Sequence, residues 1–574
     1  MIMCNICQPR RVGSRGALHG LNRHIARLCV MLLTLTGLAN AYPVDPQSIP
    51  PHETGRTWLY LRDEQIPRDE LNRRLALAFQ SLTPRSQARR LKTLGAPGVR
   101  LCDLPPSPER LSAIESTGCR VVRSLRYINA VIVTGSEASV ARAARLAFVD
   151  SARPVMAFAS MNASREFEEQ RAAIRDNAAD YGVALRQLGM VNVPAAHSAG
   201  FRGRGVLIGS QDTGFDNLNH NCFRFLEVIA AYDFLNDDHN VADQGDLGSG
   251  SHGTRTLSVI AGLDSGAFIG VAPDAQFVLT KTENSASETP IEEDYWIAGL
   301  WFHDSLGVDV LSSSLSYREW YDYPDFDGET APTTRAADSA AAAGLVIVNS
   351  MGNTGGVGYP RSKLGAPADA RGIISVGGAH YDSTYWTTAS QGPTFDGRLK
   401  PDVAALSSGV YTASSADDNG YFSRAGTSFS CPMVAGITAL MLEANSNLTP
   451  AEVMEILHLT SSQPDTPDTL LGYGIPNALA AIRLAQERSV SVQPSLPTAN
   501  QLTLFPNPTN GAVILSLPAG KRLPPIYLFD PLGREIDRID YTSSNRIILD
   551  LSRYPAGSYW IGVDGSSARI ILVR

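Results

Sequence analysis

Through the middle of the chain the apolar positions fall in short, nearly unbroken runs instead of a strict alternation. The clearest are residues 206–208, 277–280, 308–311, 345–348 and 372–376. Runs of this length, bounded by turn residues, read as strands buried on both faces, as in a parallel sheet. Segments with helical periodicity separate them, residues 295–306 and 333–343 among others. The alternation predicts an α/β fold with a doubly wound, mostly parallel sheet. In such sheets, ligands bind beyond the carboxyl ends of the strands.

Two further patterns flank this region. Residues 56–156 alternate strands and helices on a smaller scale: strands at 57–61, 120–124, 130–134 and 148–154, helices at 68–79 and 138–147. A polar, alanine-rich connector follows at 160–180, and a processing cut is expected within it. After a helix ending near Gln486, a linker containing Pro494 and Pro497 leads into short strands and turns. There Val513, Leu515 and Leu517 alternate as in a strand with one buried face. Asp530-Pro531-Leu532-Gly533-Arg534 marks a hairpin turn. This tail is expected to be a β-sandwich of roughly seven strands.

At the N-terminus, Arg10, Arg11, Arg15, Arg23 and Arg27 precede an apolar run at 28–38 and then Ala39-Asn40-Ala41. That order is a secretory signal peptide, cut after Ala41. The run is too short for an ordinary membrane span, and no other stretch reads as long and apolar enough to cross a bilayer. The organisation is therefore a signal peptide at 1–41, an α/β domain at 42–160, the main α/β domain at 161–489, a linker at 490–500 and the β-sandwich at 501–574.

Composition narrows the classes. The chain is 44% hydrophobic and 18% charged, as globular proteins are. A net charge of -8 over 574 residues, without a basic stripe interleaved with aromatics, argues against nucleic acid as a partner. Of the seven Cys, Cys4, Cys7 and Cys29 lie in the signal segment. Cys102 and Cys119 could pair with each other in an oxidising compartment. Cys431 reads as a small core residue.

Three short motifs carry the chemistry. Gly426-Thr427-Ser428-Phe429-Ser430-Cys431-Pro432 reads as a sharp turn opening into an apolar helix, about residues 433–443. A serine there lies beside free N–H groups and the positive end of the helix dipole, which suits a nucleophile whose reaction develops an oxyanion. It needs a base, and the base an orienting carboxylate. Ser251-His252-Gly253-Thr254 opens a second helix, and the strand at 205–211 ends in Asp212-Thr213-Gly214. His252 is the candidate general base and Asp212 its partner. The order Asp, His, Ser resembles that of subtilisin-like serine peptidases (subtilases).

That resemblance implies a serine endopeptidase with Asp212, His252 and Ser428 as its catalytic triad. It implies an oxyanion-binding amide at Asn353, in the turn after the strand at 346–348. It implies that Ser314, Leu315 and Ser316 pair with an extended protein or peptide substrate, with Ser316 standing where the family usually has glycine. The α/β unit ahead of the core resembles the family's propeptide, an intramolecular inhibitor, which makes the chain a zymogen. No cofactor is required. Calcium is a ligand the family often binds, but no residue is assigned to it, and the acidic loop of Asp237, Asp238, Asp243 and Asp246 matches no EF-hand pattern. Phe505-Pro506-Asn507-Pro508, the strand after Tyr554-Pro555-Ala556-Gly557 and the basic last residue resemble the C-terminal sorting domain of type IX secretion cargo. That implies a partner in the type IX machinery and a secreted or surface location by way of the periplasm. Two other readings stand beside this one: a catalytically silent binding protein on the same fold, and a secreted esterase or amidase.

Overall fold

The computed structural model describes residues 52–157, 181–244, 250–286, 288–358 and 363–491, and shorter stretches between 503 and 572. The signal peptide, the 160–180 connector and most of the 490–500 linker lie outside the described residues. The chain divides into two compact units near Gln486.

The first unit opens with a four-stranded antiparallel sheet. Its strands are β1 (His52–Leu61), β2 (Arg120–Leu125), β3 (Ala130–Thr134) and β4 (Val149–Ala157), in the order β2-β3-β1-β4. The Arg68–Gln80 and Glu137–Ala143 helices were expected. Two more, Pro84–Leu94 and Pro108–Ser116, were not. Both start at Ser/Thr-Pro, a helix-opening signal in which proline occupies a position that has no acceptor for its N–H. The first holds a buried arginine pair, Arg89 and Arg90, that hides its apolar face from pattern reading.

The central sheet follows. Its strands are β5 (Leu207–Asp212), β6 (Glu227–Asp233), β9 (Gln276–Lys281), β10 (Val310–Ser313), β11 (Val346–Ser350), β12 (Ile374–Ala379) and β13 (Val403–Leu406). They run in the order β13-β12-β11-β10-β5-β9-β6, every neighbouring pair parallel. The small hairpin β7 (Leu263–Asp264) and β8 (Phe268–Ile269) lies between β6 and β9, and β14 (Ser408–Ala413) pairs with β15 (Tyr421–Ala425) after the sheet. Successive residues enter two different cores. Ile208, Val310, Val346 and Val348 face one, and Leu207, Leu311 and Ile347 the other. That is why the strands read as unbroken apolar runs. β6 escaped the pattern because it is an edge strand whose first residues are exposed, and β13 because it is short and alanine-rich.

One face of the sheet is covered by the Thr427–Ala444 helix, buried almost throughout. It is long and apolar enough to span a membrane by composition alone, contrary to the sequence expectation, but it is a core helix of the domain. The other face carries the Ile291–Leu306 and Pro332–Ala342 helices. The N-terminal sheet packs on that same side. Trp58, Ile132 and Val155 share one apolar cluster with Trp296, Leu300 and Leu311.

The second unit holds antiparallel strands β16 (Thr503–Phe505), β17 (Ala512–Ser516), β18 (Ile526–Phe529), β19 (Glu535–Ile539), β20 (Arg546–Asp550), β21 (Gly557–Val563) and β22 (Ser566–Leu572), in a three-stranded sheet β16-β17-β20 and a four-stranded sheet β19-β18-β21-β22. Leu515, Leu528, Leu549, Ile561 and Ile570 form its core. The predicted hairpin pairs Ile526–Phe529 with Glu535–Ile539.

Candidate active site

Asp212 ends β5, at the carboxyl edge of the sheet and beside the point where strand order reverses between β5 and β10. His252 is the second residue of the Ser251–Ala261 helix. Gly253 explains the close approach of that helix. A Cβ there would sit 2.1 Å from the Gly214 carbonyl oxygen and 3.1 Å from the Asp212 Cβ. Both glycines of Asp-Thr-Gly and His-Gly-Thr thus serve one contact between strand end and helix.

That contact brings His252 Nδ1 to 2.6 Å from Asp212 Oδ1. Two further donors fix the carboxylate: the Thr213 N–H at 2.7 Å on Oδ1 and Thr256 Oγ1 at 2.9 Å on Oδ2. Thr256 was missed by sequence reading, although its place one helical turn beyond His252 marks it as a residue on the same face. Asp212 is 1% exposed and His252 6%. Burial by itself would drive the proton off His252. The charge and hydrogen bond of Asp212, with a contribution from Glu283, outweigh it and hold His252 above its ordinary 6.5.

Ser428 departs from expectation in one respect. It is not on a turn ahead of the helix but is the second residue of it, because the helix begins at Thr427. Pro432 sits inside this helix, and its missing N–H leaves the Ser428 carbonyl without its i+4 donor. Ser314 Oγ supplies one instead, at 2.8 Å. The Ser428 N–H lies in the first turn, where the helix offers no acceptor. Phe429, next in the chain, lies with its ring 6.1 Å from the imidazole of His252. His252 Nε2 is buried without a hydrogen-bond partner among the described residues. Asp212 and His252 are therefore joined, and Ser428 stands 5% exposed beside them without a bond to the imidazole.

Asn353 adjoins the same helix start. Its Oδ1 accepts from the Thr427 N–H at 2.9 Å and from Thr427 Oγ1 at 3.0 Å. Thr427 also accepts from the Gly352 N–H at 3.2 Å. With the carbonyl end of the amide held, the Nδ2 end is the one left to donate outward. Ser314, Leu315 and Ser316 follow β10 directly. Asn349 Nδ2 fixes the Leu315 carbonyl at 3.0 Å.

An acidic group behind the site was not anticipated. Glu283, Glu288 and Glu292 bring carboxylate oxygens within 4.8 Å of one another. Burial first, and then repulsion from neighbouring carboxylates, raises all three, Glu283 to about 8. The Tyr317 hydroxyl donates to Glu283. Of the acidic loop, Asp246 lies outside the described residues, and Asp237 and Asp238 accept from Tyr232, Asn240 and Gln244 within it. Cys102 and Cys119 are both free thiols.

Comparison with known proteins adds three matches. Residues 203–474 match the subtilase family, residues 56–173 the S8 peptidase propeptide domain of Bacteroidota, and residues 503–572 the secretion system C-terminal sorting domain. Among individual proteins, the chain is 28% identical over 306 residues to the serine protease AprX of Bacillus subtilis, covering 48% of this chain and 66% of that one. It is 26% identical over 357 residues to subtilisin E of Bacillus subtilis, covering 62% of this chain and 81% of that one. It is 28% identical over 302 residues to subtilisin of Bacillus pumilus, covering 52% of this chain and 98% of that one.

Proposed function

For a chain with a subtilase-family domain, preceded by an S8-type propeptide and followed by a secretion sorting domain, we propose the activity of a secreted serine endopeptidase acting through an acyl-enzyme. The observation that carries the reading is the Asp212–His252 bond at the end of β5, facing a helix start that bears Ser428 and clamps Asn353. Ser428 Oγ attacks the peptide carbonyl while His252 Nε2 takes its proton. The oxyanion is bound by Asn353 Nδ2 and the Ser428 N–H. His252 then passes the proton to the leaving amine, and a water, activated by the same nitrogen, releases the acid product. Asp212 holds the imidazole tautomer and stabilises the imidazolium, and does not itself take the proton. The bond between Ser428 and His252, open here, closes when substrate is bound, as such bonds do in other hydrolases. None of these steps calls for a cofactor.

Residues 314–316 offer backbone to an extended protein or peptide chain. The propeptide acts as the intramolecular inhibitor and is cut from the peptidase within 160–180. The sorting domain indicates a secreted or cell-surface protein, and the route runs through the periplasm to the type IX machinery. The test is Ser428→Ala in the full chain. The variant is expected to accumulate uncut and to hydrolyse neither casein nor a p-nitrophenyl ester. Normal processing of the variant would assign the cut to another protease. Wild-type activity on the ester alone would make the protein an esterase, and activity on neither a binding protein.

A further inference from the structure

The Pro84–Leu94 helix lies under the amino ends of the central strands, at the far edge of the sheet from Asp212. Thr83, its N-cap, donates its N–H to the Ser305 carbonyl at 3.1 Å and its hydroxyl to the Leu306 carbonyl at 2.9 Å. Arg85 donates to the Gly205 carbonyl at 2.8 Å, just ahead of β5, and to the Asp309 carboxylate, just ahead of β10. A Cβ on Gly344, just ahead of β11, would lie 2.5 Å from Thr93 Oγ1. Lys92 donates to the Ser446 and Leu448 carbonyls at 2.8 and 3.0 Å, past the end of the Thr427–Ala444 helix. One helix thus ties three adjacent strands to the tail of the helix that bears Ser428. Asp212 ends β5 at the opposite edge, on the order of 20 Å away for a strand of this length.

The central domain depends on these contacts. Asp304 is fully buried, and among the described residues every hydrogen bond to its carboxylate comes from the N-terminal region, from Arg89, Arg90 and Tyr127. Without that region a buried carboxylate would be left with no partner, a costly state. The apolar contacts follow the same division. Along β3, Val131 and Val133 pack within the N-terminal region, while Ile132 joins the cluster shared with Trp296 and Leu300. An interface that continues a core in this way is the kind found in permanent complexes. Among the described residues, no hydrogen bond or ion pair joins 52–157 to Asp212, His252, Ser428 or Asn353. A cut within 160–180 breaks none of the contacts at the amino edge.

Resting on the peptidase reading above, we propose that residues 52–157 stay bound after the cut as a permanent second subunit, anchored by the Pro84–Leu94 helix, and that the active enzyme is this two-chain complex. Inhibition and attachment are then separate properties of the N-terminal region. Inhibition ends with the cut in the connector. Attachment is made at the other edge of the sheet and outlasts it.

The test uses enzyme that has processed itself in cells producing the full chain. It is passed over a size-exclusion column at nanomolar concentration, each fraction is assayed on casein, and its chains are identified by intact mass. Casein activity is expected in a peak that holds both fragments in equal amounts. Arg90→Met is expected to speed dissociation of the N-terminal fragment on dilution by about 10²-fold, since losing one partner of a buried charge pair acts on the off-rate. Arg85→Ala with Lys92→Ala, two side chains that are not fully buried, leaves the fragment's own core intact and is expected to speed it by about tenfold. Casein activity confined to fractions without residues 52–157, or a dissociation rate that neither variant moves, overturns the proposal and leaves the peptidase reading standing. A chain that is never cut and never cleaves casein removes both.

Discussion

The N-terminal α/β region is fastened to the central α/β domain by an ion cluster that can be weighed. Arg90, on the Pro84–Leu94 helix, is fully buried. It donates to Asp103 of its own domain at 2.9 Å and to Asp304, at the end of the Ile291–Leu306 helix, at 2.5 Å. Asp103 and Asp304 are likewise fully buried. Arg89 and the Tyr127 hydroxyl also donate to Asp304, and Arg100 to Asp103. Arg90→Met keeps the apolar stem and removes the shared cation. Breaking a buried pair by removing one partner costs about 3–5 kcal/mol. Each carboxylate keeps one arginine, so the lower end applies. About 3 kcal/mol corresponds to roughly a 150-fold shift in the equilibrium between docked and undocked helix. The assay is native-state hydrogen exchange on the full chain carrying Ser428→Ala, so that no processing intervenes. Amides of Pro84–Leu94 are expected to exchange on the order of 10²-fold faster in the variant, while those of the Thr427–Ala444 helix keep their protection. Asp304→Asn is expected to act in the same direction, and the double variant to fall short of the sum. Exchange within about threefold of the parent would refute the reasoning, since the cluster would then contribute no more than an exposed surface pair does.

Three other outcomes follow from the site. Because His252 is held above 6.5 and only neutral imidazole can take the Ser428 proton, activity should fall as pH drops through a midpoint above 6.5. A kcat/KM profile whose acid limb lies somewhat below that value counts against the upward shift, and one below about 5 counts against His252 as base. Asn353→Ala should lower kcat by about 10²–10³ with little change in KM, a magnitude taken from subtilisin's own oxyanion asparagine and not worked from this geometry. Truncation after Ala499 should leave an enzyme that cleaves casein but stays in the periplasm, as judged by fractionation of a type IX-secreting host. Equal export of the truncated form would remove the sorting role from the tail.

Much was legible before any coordinates. Strands buried on both faces announce themselves as apolar runs, and β5, β9, β10, β11 and β12 were each located to within a few residues. Asp212, His252, Ser428 and Asn353 were nameable as candidates because each lies in a short motif whose neighbours perform a local task. Gly253 lets a helix approach a strand end, and Thr427 clamps an amide. Such tasks act over one or two residues of chain, so they are written as contiguous letters. What only the tertiary structure decided depends on residues far apart in sequence. Thr256 on Asp212, Ser314 on the Ser428 carbonyl and Arg90 on Asp304 are such contacts. The Pro84–Leu94 helix hid behind its own charges, because a buried arginine counts as polar until its carboxylate is seen. Local pattern fixes which elements form, because periodicity is a property of neighbours. The occupancy of the space between them is a property of packing, and no run of letters states it.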